Sequence, residues 1–317
     1  MGLQVKSLNG VLNPKRTGFR FLTMVGLLFF VFGQIHVANA SGIKCKELLI
    51  NQENQMAANR ENPARVSMIR SMNKILIVAA MDVEAKAILA KLPAPQSFSL
   101  HDGLGISVFR STIGNREIAL VQSGVGLVNG ALTTSYAVDQ VKPDAIFLLG
   151  VAGALGEQLN VGDTVVAKQV LQHDAVYSGD AVEFMAPGEL HVSIPKDERR
   201  SPWLVTNPDL SIWVANQLSV IAPVHPGTIL SGSEFVGNLA RKRELAAITH
   251  DGLAVEMEAA GVGQVATKRG IPLVVVKTIA DRLRPDGSIS SDYLKFAHSA
   301  SETASHIVSA IVAAWSE

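Results

Sequence analysis

Residues 74–90 read KILIVAAMDVEAKAILA and carry the clearest fold signal in the chain. The first half, Lys74 to Ala80, is a continuous apolar run, typical of a strand that is buried on both faces of a sheet. The second half, Asp82 to Ala90, begins with acidic residues, which favour a helix start because the helix dipole is positive there. A buried strand that leads directly into a helix is the repeating unit of α/β proteins.

The same alternation continues along the chain. It predicts strands at about 106–113, 117–122, 145–149, 164–167, 227–230 and 273–279, and helices at about 127–140, 209–221, 259–269 and 292–315. The Pro- and Gly-punctuated region 173–207 is predicted to be irregular. We therefore expect a single α/β domain with a central mixed, mostly parallel twisted sheet flanked by helices on both faces.

Composition excludes several classes of function. Of the 317 residues, 48% are apolar and 18% are charged, which suits a filled globular core. Lysine plus arginine equals aspartate plus glutamate at 28 each, and aromatics are only 5%, so we expect no nucleic-acid partner. The single cysteine, Cys45, excludes an intrachain disulfide and a cysteine-based zinc site.

The first forty residues have the pattern of a secretory signal. A basic start is followed by the apolar run 21–32 and then by Ala38-Asn39-Ala40. Cleavage after Ala40 would place the protein in the periplasm or outside the cell. The apolar run is shorter than the ~20 residues that a membrane span needs, so we expect no stable membrane association after cleavage. An uncleaved anchor remains the alternative.

The domain layout follows from these patterns. Residues 1–40 are predicted to be a signal peptide, residues 41–73 a polar linker or a loosely docked helix, and residues 74–317 the functional domain. A start at Met68 or Met72 also stays open, because the globular pattern begins just after them.

Acidic residues, glycine turns and an aromatic residue follow several predicted strands at their carboxyl ends, where ligands bind in open α/β sheets. These are Glu84, the glycine turns 123–126 and 150–153, Phe235 and Asp281. The glycine turns could hold an anion at a helix start, but neither fits the dinucleotide fingerprint or the P-loop. His173-Asp174 has no second histidine at ligand spacing, so we expect no metal site.

The segment LAVEMEAA, residues 253–260, places Glu256 and Glu258 inside an apolar run. Buried carboxylates need partners, because desolvation costs several kcal/mol. One interpretation is that Glu258 lies at a helix start and is stabilised by the helix dipole. The other is that Glu258 points into a polar pocket and holds ligand hydroxyl groups.

Two further carboxyl groups suit the cleavage of a glycosidic bond. Asp281, next to an apolar strand, could donate a proton to the leaving group, while Glu84 activates a water molecule. The alternative for Asp281 is a turn former or a helix cap. The chain has no Gly-x-Ser-x-Gly nucleophile elbow, which argues against a serine hydrolase.

Residues 74 to about 313 resemble the 5′-methylthioadenosine/S-adenosylhomocysteine nucleosidases of the purine nucleoside phosphorylase superfamily. Seven motifs stand in the order of that family: AMDVE (80–84), SGVG (123–126), GVAG (150–153), VGD (161–163), SGSEF (231–235), VEMEA (255–259) and IAD (279–281). The resemblance implies a nucleoside phosphorylase-like fold and no metal or organic cofactor. It also implies a homodimer and a small-molecule purine nucleoside as the ligand.

The resemblance also implies roles for individual residues. Glu84 matches the acid that deprotonates the attacking water, and Asp281 matches the acid that protonates N7 of the purine. Glu258 matches the residue that binds the ribose hydroxyls, Met257 lies against the sugar, Phe235 stacks on the base, and the backbone of Val236 pairs with the base edge. The expected substrate-binding set is Glu258, Met257, Phe235, Val236, Glu256, Gly153 and Lys277.

The sequence departs from the family pattern at four points. Ala280 stands where the family has serine, Lys277 replaces an arginine that helps to place the water, and Val151 replaces a serine. An aromatic residue usual near Ser291 is absent at that position. These differences leave the 5′ substituent open. The expected function is hydrolysis of the N-glycosidic bond of methylthioadenosine or S-adenosylhomocysteine, with release of adenine. The alternatives are a phosphorylase that uses phosphate and a non-catalytic nucleoside-binding protein.

Overall fold

The computed structural model describes residues 63–101, 106–283, 289–291 and 293–316. The expected signal peptide and residues 41–62 of the expected linker lie outside the described residues. The helices are α1 (Pro63–Ser71), α2 (Asp82–Leu89), α3 (Leu127–Val141), α4 (Pro208–Leu218), α5 (Leu239–Ala246), α6 (Ala259–Arg269) and α7 (Tyr293–Ser316). The strands are β1 (Lys74–Ala79), β2 (Gln96–His101), β3 (Ile106–Ile113), β4 (Arg116–Gln122), β5 (Ala145–Ala154), β6 (Thr164–Gln172), β7 (Val176–Ser178), β8 (Val182–Phe184), β9 (Trp203–Val205), β10 (Val224–Ser231), β11 (Gly252–Glu256), β12 (Leu273–Leu283) and β13 (Ile289–Ser291).

The large sheet is mixed, as predicted. Parallel pairing joins β1 to β4 and to β5, β5 to β12, β6 to β10, and β10 to β11. Antiparallel pairing joins β5 to β11 and β6 to β12. The pairings therefore close a ring of five strands in the order β5, β12, β6, β10 and β11. Beyond β1 and β4, strands β3 and β2 extend the sheet as an antiparallel meander.

Helices cover both faces of the sheet, which confirms the predicted layering. On one side, buried residues of α3 and α6, such as Val138 and Val262, pack with alternate residues of the central strands. On the other side, residues of α1, α2, α4 and α7, such as Ile88 and Ile307, pack on the opposite face. The central strands are thus buried on both faces, which explains their continuous apolar sequence.

The folded domain begins earlier than the predicted boundary at residue 74. Residues 63–71 form α1, and the Ile69 side chain is fully buried in the core of the α7 side. The indole Nε1 of Trp315 donates a hydrogen bond of 3.0 Å to the carbonyl oxygen of Ile69. Part of the segment is thus the docked helix that stood as the alternative to a linker, and only Ile69 and Met72 are buried within 63–73.

Other differences arise from tertiary pairing. The turn expected at 150–153 is wrong, because β5 runs through these residues to Ala154 while pairing with β12 on one side and β11 on the other. The region 173–207 contains the β7–β8 hairpin and β9, which adds to β6. Strands of three residues are too short to show a hydrophobic period. Within the described residues, none of the helices is long and apolar enough to cross a membrane.

Candidate active site

A cavity of about 520 Å³ opens where several strands of the ring end. It lies at the carboxyl ends of β1, β10, β11 and β12 and beside the last residues of β5, the position predicted from the order of the elements. The cavity is lined by Ala80, Met81, Glu84, Val125, Val151, Ala152, Gly153, Glu234, Phe235, Val236, Val255, Glu256, Met257, Glu258, Ala280 and Asp281. The three acidic residues expected to act together, Glu84, Glu258 and Asp281, therefore share one cavity.

Glu84 lies in the first turn of α2 and is buried. Its Oε2 accepts hydrogen bonds from the amides of Ala80 (3.1 Å) and Met81 (2.9 Å), and its Oε1 accepts one from the amide of Val151 (3.1 Å). Burial raises the pKa of Glu84 above its ordinary value, although Lys277 and the amide donors act in the opposite direction. The carboxyl group is thus held rigidly and binds a proton more readily than an exposed glutamate does.

The two glutamates of the segment 253–260 have different roles, one at the start of α6 and one in the cavity wall. Glu256, at the end of β11, accepts hydrogen bonds from the amides of Glu258 (3.1 Å) and Ala259 (3.0 Å). It therefore satisfies the free N–H groups at the start of α6. Glu258 makes no capping bond to its own helix. Its Oε1 instead accepts a hydrogen bond of 3.0 Å from the amide of Gly126.

The glycine turn 123–126 thus contacts an anion, but that anion is a side chain of the protein. Gly124 and Gly126 have φ angles of 79° and 108°, a region that favours glycine. Burial, with the neighbouring charge of Glu256, raises the pKa of Glu258 above its ordinary value, while Lys277 acts in the opposite direction. The second hypothesis for Glu258, a carboxyl group that lines a pocket, is the one that the geometry supports.

Lys277 is buried behind the cavity and is not among the described residues that line it. Its Nζ lies 2.8 Å from Glu256 and 3.2 Å from Glu258. Burial acts to lower the pKa of Lys277, but the carboxylates of Glu256, Glu258 and Glu84 outweigh burial and raise it. Burial acts to raise the pKa of Glu256, yet Lys277 and hydrogen bonds outweigh that effect, and the pKa lies below its ordinary value. Lys277 therefore supports the carboxylates from behind.

Asp281 reaches the cavity because β12 is irregular at this point. The register between β12 and β5 shifts between Ile279 and Asp281, so that Asp281 lies opposite Gly153. Such a bulge re-aims the following side chain. The Oδ1 atom accepts a hydrogen bond of 3.0 Å from the amide of Ala154. Asp281 is thus a strand residue of the cavity wall, not a turn former or a helix cap.

Lys242 is a charged residue of the site that the sequence analysis missed. It lies on α5, is completely buried, and forms an ion pair with Oδ1 of Asp281. A Cβ atom at Gly153 would lie 2.9 Å from Lys242 Nζ and 3.0 Å from Asp281 Oδ2. Gly153 therefore lets the backbone of β5 lie directly against this ion pair. Within the polar segment LARKRELA, no periodic signal distinguished Lys242 from its neighbours.

The opposite wall of the cavity is more open. Phe235 lines it with 74% of its surface exposed, whereas Val236 is buried and Met257 is partly buried. At the rim, Arg241 pairs with Glu234 at 2.9 Å. The predicted residues Phe235, Val236, Met257, Glu256 and Gly153 are all brought to the cavity.

His173 is not among the cavity-lining residues. It is buried, and within the described part of the chain neither ring nitrogen has a hydrogen-bond partner. Burial lowers the pKa of His173, which favours a neutral imidazole. Asp174 accepts a hydrogen bond of 2.7 Å from the amide of Ser233 and so holds the loop that carries Phe235.

Comparisons with known proteins agree with this geometry. The sequence profile of the phosphorylase superfamily matches residues 74–313. A 5′-methylthioadenosine/S-adenosylhomocysteine nucleosidase of Staphylococcus aureus is 30% identical over 239 residues, which cover 74% of this chain and 98% of the relative.

Solved structures are similar over the same region. The Helicobacter pylori 5′-methylthioadenosine/S-adenosylhomocysteine nucleosidase is 26% identical with a TM-score of 0.63, over 76% of this chain and 98% of that chain. The futalosine hydrolase of the same organism is 25% identical with a TM-score of 0.63, over 76% of this chain and 97% of that chain. The ring of strands and the acidic cavity agree with these relatives, and the chain belongs to the 5′-methylthioadenosine/S-adenosylhomocysteine nucleosidase family of the phosphorylase superfamily.

Proposed function

We propose that this protein is an N-ribosyl hydrolase that releases adenine from a purine nucleoside, with methylthioadenosine and S-adenosylhomocysteine as its substrates. The observation that carries the proposal is the meeting of Glu84, Glu258 and Asp281 in one cavity. Residues 74–313 match the superfamily, and the Staphylococcus aureus relative bears the name of this activity. The cavity volume of about 520 Å³ lies within the range of about 300–1,000 Å³ that is usual for small-molecule sites.

Glu84 is suited to act as the general base. Its Oε1 has only one amide donor among the described residues, Val151, and so retains a lone pair for a water molecule. The raised pKa matches a group that must take a proton from water as the bond to the sugar forms. The three hydrogen bonds from backbone amides hold the carboxyl group in place, which keeps the water oriented toward the sugar.

Glu258 is suited to bind the ribose hydroxyl groups. The amide of Gly126 and the ammonium of Lys277 each contact one of its oxygens, so the carboxylate is anchored from behind while it lines the cavity. Loss of the base leaves a positively charged, oxocarbenium-like sugar. Carboxylates fixed around that sugar stabilise the transition state more than the neutral nucleoside.

The charge of the cavity favours water over phosphate as the nucleophile. Of the described residues that line it, five are acidic (Glu84, Glu234, Glu256, Glu258 and Asp281) and none is basic. Lys277 is buried between Glu256 and Glu258. A phosphate dianion would therefore meet carboxyl groups in the described wall and no cationic side chain that faces the cavity. Hydrolysis is the reaction that this electrostatic environment supports.

Chromatography of reaction products tests the proposal. Purified protein should release adenine from methylthioadenosine or S-adenosylhomocysteine at rates that phosphate does not change. Because one structural neighbour is a futalosine hydrolase, futalosine belongs in the same screen. Glu84→Gln, Glu258→Gln and Asp281→Asn should each reduce kcat by at least about 100-fold. Phosphate-dependent release would show a phosphorylase, and tight nucleoside binding without turnover would show a binding protein.

We infer a homodimer as the assembly. The start of α3 carries an apolar surface formed by Val125, Val128 and Leu132, which are 48%, 77% and 40% exposed. Val128 and Leu132 are four residues apart on α3 and so lie on one helix face, and Val125 stands just before the helix. Val125 also lines the cavity. A second copy on this surface would bury the apolar patch and lie beside the substrate site.

Export is a further part of the proposal. Its support is the sequence pattern of residues 1–40, with a basic start, an apolar run and Ala38-Asn39-Ala40. Expression of the full chain in a bacterial host, followed by cell fractionation, should place a shortened protein in the periplasm. N-terminal sequencing should then begin at Ser41. Recovery of the uncut chain in the cytosol would reject export.

A further inference from the structure

The ion pair between Lys242 and Asp281 is an unusual arrangement for a residue proposed as a general acid. Lys242 is fully buried, and its Nζ contacts Asp281 Oδ1. That oxygen also accepts the amide of Ala154 at 3.0 Å. Within the described residues both donors use Oδ1 and neither uses Oδ2. Oδ2 is therefore the oxygen that remains available to a ligand in the cavity.

Burial of the Lys242 ammonium is unfavourable unless another interaction compensates for it. Moving such an ion out of water costs several kcal/mol unless a counter-charge compensates. α5 is otherwise polar, with only Lys242 and Leu245 buried. The adjacent Arg241 and Arg243 remain partly or largely exposed. The helix thus directs a single cation inward, and that cation meets the one aspartate in the cavity wall.

A purely structural role for Lys242 would be to hold α5 against β12. The position of its partner, Asp281, indicates a role in catalysis as well. Asp281 lines the cavity, whereas Lys242 does not. A nonpolar side chain would anchor the helix without the cost of a buried charge. The ammonium changes what Asp281 can do chemically, because its charge stabilises the carboxylate that remains after Asp281 gives up a proton.

We propose that Lys242 is a positioning residue that holds Asp281 by Oδ1, so that Oδ2 is directed at the ligand and donates the proton that N7 of the purine takes. This inference rests on the proposed function. As the bond between sugar and base breaks, its electron pair moves into the purine ring. N7 then takes the proton that Asp281 has bound on Oδ2 from solvent, and the carboxylate that is left is stabilised by the Lys242 ammonium at Oδ1.

The protons gained and lost are equal in number over one turnover. Adenine leaves as a neutral base, Asp281 is left as a carboxylate, and Lys242 stays an ammonium throughout. The attacking water has transferred one proton to Glu84. After product release, solvent returns a proton to Asp281 and removes one from Glu84, so no external acid or other reactant is consumed.

Variants at position 242 test the proposal with methylthioadenosine as substrate. Lys242→Met should lower kcat by about 100-fold, the scale of general acid catalysis, and KM should stay within about threefold, because Lys242 does not touch the ligand. Lys242→Arg keeps the charge and should recover most of the lost rate. Arg243→Met removes an exposed cation from the same helix and should behave as the wild type.

A non-reacting ligand separates positioning from loss of structure. 5′-Methylthiotubercidin has carbon in place of N7 and cannot accept the proton. Its dissociation constant should stay within about threefold in Lys242→Met, since the cavity wall is intact. If the methionine variant does not fold by circular dichroism, Lys242→Gln replaces it in both measurements.

Two outcomes would overturn the role of Lys242. One is a neutral variant with wild-type kcat, and the other is a parallel loss of rate and of tubercidin analogue binding. An inactive wild type has a different meaning. Failure of the unmodified protein to release adenine from any nucleoside would reject the proposed function, and this inference with it.

Discussion

Glu84 shows how one side chain couples catalysis to stability. Burial raises its pKa in the folded protein, while the unfolded chain has the ordinary value. Between these two values the folded state binds more protons, so its stability decreases as pH rises through that interval. The ionised carboxylate that activates water is therefore a form that the fold disfavours.

Glu84→Gln removes this titration, and we expect a gain in stability relative to the wild type that grows as pH rises. Urea unfolding of both proteins at pH 4 and pH 8 measures the difference. A wild type that loses no stability relative to Glu84→Gln on going to pH 8 would contradict the pKa direction.

Gly150 is required because a side chain at this position would clash with its neighbours, and not because of its backbone angles. A Cβ atom there would lie 2.9 Å from Glu84 Oε1 and 3.3 Å from Lys277 Nζ. We expect Gly150→Ala to displace the general base and to lower kcat for adenine release by about 10- to 100-fold, since a shift of about 1 Å can have that effect. Steady-state kinetics measures it.

The control for this change is Gly156→Ala. The nearest atoms to a Cβ at Gly156 belong to the Gln158 side chain, which is exposed and can move. This variant should keep the wild-type rate. Equal rates for Gly150→Ala and the wild type would show that the backbone of β5 does not constrain Glu84.

Helices α3 and α6 depend on glycine for their close approach. A Cβ at Gly261 would lie 2.2 Å from the carbonyl oxygen of Leu127 and 3.2 Å from the amide of Ala131. Both atoms belong to the backbone, so they cannot move without displacing α3. This crossing also places Glu258, at the start of α6, beside the amide of Gly126.

Gly261→Ala should therefore lower the free energy of unfolding by about 1–3 kcal/mol, the usual range for overpacking. Urea denaturation followed by circular dichroism measures the change. Gly263→Ala, on the same helix, meets first a methyl group of Leu204 at 3.0 Å, which can yield. Alanine is also the better helix former by about 1 kcal/mol. A destabilisation of equal size in both variants would argue against the backbone contact as the cause.

The assembly of the whole protein is open to a direct test. Val128, the most exposed residue of the apolar surface on α3, should lie at the centre of the inferred dimer interface. Val128→Lys would bury a charge there, which is unfavourable without a partner. Sedimentation velocity should show a dimer for the wild type and a monomer for this variant.

Val220→Lys gives the matched control, because Val220 is 61% exposed but lies just after α4, away from α3. It should remain dimeric. A monomeric wild type would refute the inferred assembly, whereas the fold and the cavity would be unaffected.

Local sequence patterns were sufficient to predict much of the fold and part of the site. The apolar run 74–80 and the helix that follows it predicted β1 and α2, because burial on both faces and amphipathic periodicity are properties of short segments. Glu84 and Asp281 were recognisable because each follows a predicted apolar strand, and the carboxyl ends of strands gather at one site. The resemblance of seven short motifs added their roles.

Tertiary contacts were needed for the rest. Gly150 to Gly153 looked like a turn, but β11 and β12 pair with this segment on either side and extend β5 through it. Lys277 was expected to contact substrate, yet Glu256 and Glu258 hold it behind the cavity. Lys242 and Asp281 are 39 residues apart. A buried charge depends on the partner that the fold brings to it, and no local pattern records a partner so distant in the chain.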